Sequence, residues 1–145
     1  SYPNADMTAQ DLEDLQFRAL TARGLANLEL GKIAESKKDL REVLQRSPNS
    51  AAAMVNLARV LMTEKDLTGA LKLYENALNA DSKNFDALSG SVNVFTQQRD
   101  FEQAHRIIDR IMQNNPGQTE ALPSFYYLKS DVYKAQGNFE AAEVE

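Results

Sequence analysis

The chain has 145 residues, with 21 acidic residues against 16 basic ones, a net charge of −5. That balance argues against a nucleic-acid binder, which normally carries a basic footprint. No cysteine is present, so disulfides and thiol chemistry are excluded, and no apolar run approaches the roughly 18 residues that span a bilayer.

Residues 1–6 have neither a basic start nor an apolar core, so no signal peptide is visible there. Tyr2-Pro3-Asn4 looks like the end of an earlier structural unit. The first predicted helix covers 8–30, capped by Thr8, with apolar residues at Leu12, Leu15, Ala19, Ala22 and Ala26. Gly31-Lys32 ends it. A second helix is expected over 33–46, stopped by Ser47-Pro48-Asn49. Ser50 then caps a helix over 50–64 carrying Met54, Leu57, Ala58 and Leu61. After Lys65-Asp66, a helix over 67–80 presents Leu67, Ala70, Leu71, Tyr74, Ala77 and Leu78. Helices over 84–98 and 101–114 repeat the pattern, with Leu88, Val92 and Phe95, then Ala104, Ile108 and Ile111. Asn115-Pro116-Gly117 is the next stop. Two more helices are expected over 119–136 and 139–145. Pro123 is tolerated in a first turn, so the former starts either near Pro123 or at Glu120 with a distorted first turn.

The breaks recur. Gly31-Lys32-Ile33, Lys65-Asp66-Leu67, Arg99-Asp100-Phe101 and Gly137-Asn138-Phe139 are each a polar or glycine pair before a large apolar residue. Three positions further on sits a small residue: Ser36, Ala70, Ala104, Ala142. The apolar residues are 34, 34 and 38 apart. A fixed period of this length marks one supersecondary unit stacked on copies of itself.

The pattern resembles the tetratricopeptide repeat family. Units would span 17–50, 51–84, 85–118 and 123–145, preceded by an extension over 1–16 that starts the long first helix. Unit position 8 is then Gly24, Ala58, Val92 and Ser130, and position 20 is Ser36, Ala70, Ala104 and Ala142. These are the places where the paired helices touch, and core packing leaves no room for bulk there. Gly24, together with Asn27 at the normally apolar position 11, departs from the family pattern. The resemblance implies an all-α, right-handed superhelix, a solenoid of helix-turn-helix units. The chain is expected to be part of a longer array, since Glu145 falls partway through a second helix. An open end there, with little for Phe139 and Ala142 to pack on, would offer a route to self-association.

No catalytic, cofactor-binding or metal-ligating constellation is expected. His105 is the only histidine and is read as a surface residue on a second helix. A zinc site needs about four ligands, usually Cys or His. Neither a P-loop nor a dinucleotide fingerprint occurs. Acidic pairs such as Glu13-Asp14 read as solvated helix surface.

The resemblance places a concave groove along the first helices of the units. Asn56, Arg59, Asn93 and Gln97 would form a polar ladder there, with Tyr127 and Asp131 further along. Of Tyr127 and Tyr133, only Tyr127 would face the groove. Chaperone-binding members of the family clamp a terminal carboxylate with lysine, arginine and asparagine. The matching slots here are Thr21, Leu25, Asn56, Asp86 and Gly90, of which only Asn56 agrees, so that specialisation is not expected. The function implied is a protein-interaction scaffold that takes a peptide or helix of a partner, without nucleic acid or membrane insertion. The alternatives are the substrate-recruiting arm of an enzyme and, less well matched, an RNA-reading helical repeat.

Overall fold

The computed structural model describes residues 6–117 and 122–144. Within them every regular element is a helix: α1 (Ala9–Glu29), α2 (Ile33–Arg46), α3 (Ala51–Thr63), α4 (Leu67–Ala80), α5 (Phe85–Gln97), α6 (Phe101–Asn114) and α7 (Leu122–Val144). The first six agree with the expected helices to within a residue at each end. Consecutive helices pack as pairs, and α3, α5 and α7 also touch one another in succession. The result is a solenoid of stacked pairs.

The boundaries follow from local chemistry. Thr8 and Asp11 form a capping box: the Asp11 amide donates to Thr8 Oγ1 at 3.1 Å and the Thr8 amide to Asp11 Oδ2 at 2.8 Å. The side chains of Ser50, Asp66, Asn84 and Asp100 each accept from the backbone three residues on. The three inner turns are copies of one motif. Gly31, Lys65 and Arg99 sit at φ of 74°, 65° and 59°. The amide after each closes back on Asn27, Leu61 and Phe95 carbonyls at 2.8, 2.9 and 2.9 Å. This is a Schellman ending, which satisfies carbonyls that the helix itself cannot.

The fourth turn does not form. The sequence predicts helices over 119–136 and 139–145, but α7 runs unbroken through Gly137-Asn138. Continuing an existing helix adds a hydrogen bond per residue without a new nucleation step. Leu122 begins the described helix, so Pro123 falls in its first turn, where its missing N–H costs nothing. Residues 118–121 and the Tyr2-Pro3-Asn4 reading lie outside the described residues.

The core lies between the paired helices. Ala58, Ala70 and Ala104 have no accessible surface. In the first pair Gly24 takes the equivalent place: an added Cβ would stand 2.8 Å from Leu40 Cδ2. Ser36 opposite is also sealed, and its hydroxyl donates to the Gly24 carbonyl at 2.7 Å. A buried hydroxyl is tolerated because it is bonded.

Two expectations about α1 need correction. Its Leu12, Leu15, Ala19, Ala22 and Ala26 stripe faces solvent. The helix packs through Gly24, Leu25 and Leu28 instead, because Leu40, Leu57 and Val60 lie on that side. Asn27 is not a defect in an apolar row. It belongs to a polar cluster in which Asp39, almost fully buried, receives Arg23 Nε and Nη2 at 2.8 Å each and Asn27 Nδ2 at 3.5 Å. The bidentate guanidinium holds the Asp39 carboxyl below its usual range against the opposing effect of burial.

Candidate functional site

Contacts of α3 with α5 and of α5 with α7 bring three non-adjacent helices together in succession. On α3, Asn56 and Arg59 are three apart and so share a face. Asn56 is half-buried and Arg59 exposed. Arg59 Nη2 lies 3.9 Å from Glu29 Oε1 at the end of α1. Both side chains are well solvated, so this pair contributes little to stability. On α5, Gln97 Nε2 donates to Asn93 Oδ1 at 3.0 Å. That bond within the helix leaves the Asn93 amide N–H groups and the Gln97 carbonyl free to meet a ligand. On α7, Tyr127 and Asp131 are one turn apart and both exposed. Tyr127 is the most exposed large apolar residue among those described, at 75%.

Tyr74, beside these helices, is a residue that the sequence does not announce as functional. It belongs to α4 and is 4% exposed. Its ring lies against Gly90 of α5, where no Cβ stands in the way. Burial pushes its phenol pKa up, with Asp86 adding to the rise and Arg59 opposing it. The phenol therefore lies within electrostatic range of a cation on α3 and an anion on α5. The sequence signal was available in Gly90 itself. A glycine inside a helix costs about 1 kcal/mol against alanine, which points to a close approach.

His105 is not the surface residue expected from its position on α6. Both ring nitrogens are sealed from solvent and have no hydrogen-bond partner among the described residues. The ring lies 4.3 Å, centroid to centroid, from Tyr133 of α7. Burial is the main cause that pushes its pKa down, with Lys129 acting in the same sense and Asp109 against it. Lys129 and Asp109 form an ion pair beside it. The imidazole thus acts as an apolar plate between α6 and α7, and Tyr133 is turned toward α6.

The end of the stack is also more closed than expected at one point. Phe139 packs on Phe101, 5.8 Å between centroids, and the Arg99 guanidinium lies 4.2 Å over its ring. Arg99 Nη1 also reaches Glu143 Oε1 at 3.3 Å. Among the described residues no group of three His, Asp or Glu side chains is placed to hold a metal ion. No described helix is long and apolar enough to cross a membrane.

This architecture is that of an interaction module built from helical repeats, and comparison with known proteins supplies the family. Tetratricopeptide repeat models match residues 21–86, 61–122 and 123–144. The chain belongs to the tetratricopeptide repeat family. It is 34% identical over 83 residues to the type IV pilus assembly protein PilF of Pseudomonas aeruginosa, a match covering 57% of this chain and 33% of PilF. It is 29% identical over 68 residues to superkiller protein 3 of Saccharomyces cerevisiae, covering 47% of this chain and 5% of that protein. The chain therefore spans a third or less of the curated relatives it matches. Among solved structures, the TPR2B domain of yeast Sti1 in complex with an Hsp70 peptide superposes with a TM-score of 0.70 at 13% identity, covering 83% of this chain and 98% of that one. The Sgt2 TPR domain of Aspergillus fumigatus gives 0.68 at 16% identity, covering 90% and 83%. Identities this low speak for the fold.

Proposed function

We propose that this chain is a non-catalytic scaffold that holds an extended peptide or helix of a partner protein across α3, α5 and α7. The proposed contacts are Asn56, Arg59, Asn93, Gln97, Tyr127 and Asp131, on repeats spanning 17–50, 51–84, 85–118 and 123–145. What supports the reading is that α3, α5 and α7, in contact in succession, carry exposed Asn93 and Gln97, an exposed Arg59 and a 75% exposed Tyr127. Side-chain amides suit a peptide backbone because each both donates and accepts. Arginine and tyrosine are the usual anchors of such interfaces. Partial similarity to a pilus assembly protein supports a role in bringing proteins together.

The Sti1 neighbour holds an Hsp70 peptide, and the first TPR of RPAP3, superposing at a TM-score of 0.62, holds an Hsp90 peptide. A peptide ending in a carboxylate is nevertheless a poor fit for the slots Thr21, Leu25, Asp86 and Gly90. Asp86 would repel the carboxylate, and neither Leu25 nor Gly90 offers a charged donor.

Selection from a random peptide display library against the purified chain tests this. Enriched peptides are expected to lose about tenfold or more in affinity with Arg59→Ala and with Tyr127→Ala. Both variants should melt close to the parent, because both side chains are solvated. Peptides that bind both variants unchanged would move the site off this surface.

A further inference from the structure

Helices α3 and α5 carry one charged residue each, Arg59 and Asp86. The signs are opposite, and both side chains are exposed. Among the described residues the ion-pair partner of Arg59 is Glu29, at a loose 3.9 Å and itself 77% exposed, and Asp86 has none. Asp86 continues the polar stripe of α5. Asp86, Gly90, Asn93 and Gln97 are spaced four, three and four apart and fall on one face of the helix. The Tyr74 ring of α4 meets that face at Gly90, with Cζ, at its hydroxyl end, nearest to where a Cβ would stand. The same phenol lies within electrostatic reach of both charges, Asp86 adding to the rise that burial causes and Arg59 opposing it. Arg59 and Asp86 are therefore neighbours of one tyrosine, on helices in contact with each other. A buried ring beside them lowers the local dielectric, which strengthens what each charge does to a ligand.

We propose that the partner segment is dipolar, setting an acidic side chain at Arg59 and a basic side chain at Asp86. This rests on the scaffold reading and deepens it by fixing the order of charge in the partner. A carboxylate from the partner can take the guanidinium in a bidentate pair, which Glu29 at 3.9 Å does not do. A lysine or arginine at Asp86 meets a carboxylate that no cation among the described residues holds. Asn93 and Gln97, next along the α5 stripe, suit the uncharged backbone of the same segment. On α7, Asp131 and Lys134 are three apart and both exposed, so their charges offset and add no preference of their own. Complementary charge selects a partner more than it tightens one. A wholly acidic segment is repelled at Asp86 and a wholly basic one at Arg59.

Separate selections from a random peptide display library against the parent, Arg59→Glu and Asp86→Lys read the charge order directly. Peptides enriched by the parent are expected to carry an acidic and a basic position. Asp86→Lys should enrich peptides with an acid in place of the base, and Arg59→Glu peptides with a base in place of the acid. Asp86 stands in the first turn of α5, where an anion favours the helix, so Asp86→Asn serves as the second variant should Asp86→Lys melt low. It should weaken a parent-selected peptide about threefold or more. Neutralising the basic residue of that peptide should cost nothing further on Asp86→Asn. A parent pool with the charge composition of the starting library, or pools that do not change between parent and variants, would overturn the proposal. Tyr127→Ala separates the two readings. Peptides weakened by it but indifferent to Asp86→Asn keep the groove and refute the charge order. Peptides indifferent to both Tyr127→Ala and Arg59→Ala remove the groove and the proposal with it.

Discussion

Replacing Gly90 with alanine sets two effects of known size against each other. Alanine in place of glycine inside a helix stabilises by about 0.8–1.0 kcal/mol. Here the new methyl would stand 2.7 Å from Tyr74 Cε2, and nearer still to Cζ and Cε1. The obstacle is a rigid ring, 4% exposed and packed in the main core with Ala77, Leu78 and Leu88. Overpacking of that kind costs about 1–3 kcal/mol. The ring cannot yield as the tip of a flexible side chain could, so the upper part of that range applies. The net expectation for Gly90→Ala is a loss of about 1–2 kcal/mol. Urea unfolding followed by circular dichroism would read it as a lower midpoint at unchanged slope. In a Tyr74→Leu background the penalty should shrink or reverse, giving a coupling of about 1 kcal/mol or more between the two sites. A stability gain of about 1 kcal/mol in the single variant, or simple additivity in the double one, would refute this account of why α5 carries a glycine.

Ala70→Leu should cost about 1–3 kcal/mol in the same assay, since that side chain has no accessible surface; a neutral melt would contradict the register. Acid should weaken the fold in two steps. His105 has its folded pKa below the ordinary 6.5. The unfolded chain therefore takes up that proton first, and stability present above about pH 6.5 is lost as pH falls through the folded value. His105→Phe should flatten this step, and a slope unchanged by it would be the contrary result. Asp39 is likewise held below its ordinary 3.8, so its contribution persists to lower pH and is lost only as the pH falls below about 4. Asp39→Asn should remove that second step.

Six of the helices could be read from the chain because each boundary has a local cause. Asp66 and Asp100 cap, Pro48 and Pro116 stop, and Ala58, Ala70 and Ala104 fix where pairs approach. The fate of Gly137-Asn138 could not be read in the same way. Its residues suit a turn as well as Gly31-Lys32 does, and the outcome depends on what the following helix can pack against, which is a tertiary quantity. The exposed stripe on α1 has the same origin. Period gives the apolar faces of a helix, but only the neighbours decide which face is buried. His105 was misread because a lone polar residue between Ala104 and Arg106 looks solvated until Tyr133 is seen to lie across it. Of the proposed groove, the residue types and spacing on α3, α5 and α7 are legible in the sequence. The approach of Tyr74 to that surface is not, because it joins residues 16 positions apart through a contact between helices.

The central claim is that the surface of α3, α5 and α7 receives an extended segment of a partner. Its most direct test is to titrate the 15N-labelled chain with a peptide selected from the display library and follow the backbone amide shifts. The account predicts that the largest changes fall at Asn56, Arg59, Asn93, Gln97, Tyr127 and Asp131, with α2, α4 and α6 moving little at their solvent-facing positions. Shifts concentrated on the exposed faces of α2, α4 and α6, or on the Leu12 and Leu15 stripe of α1, would contradict it.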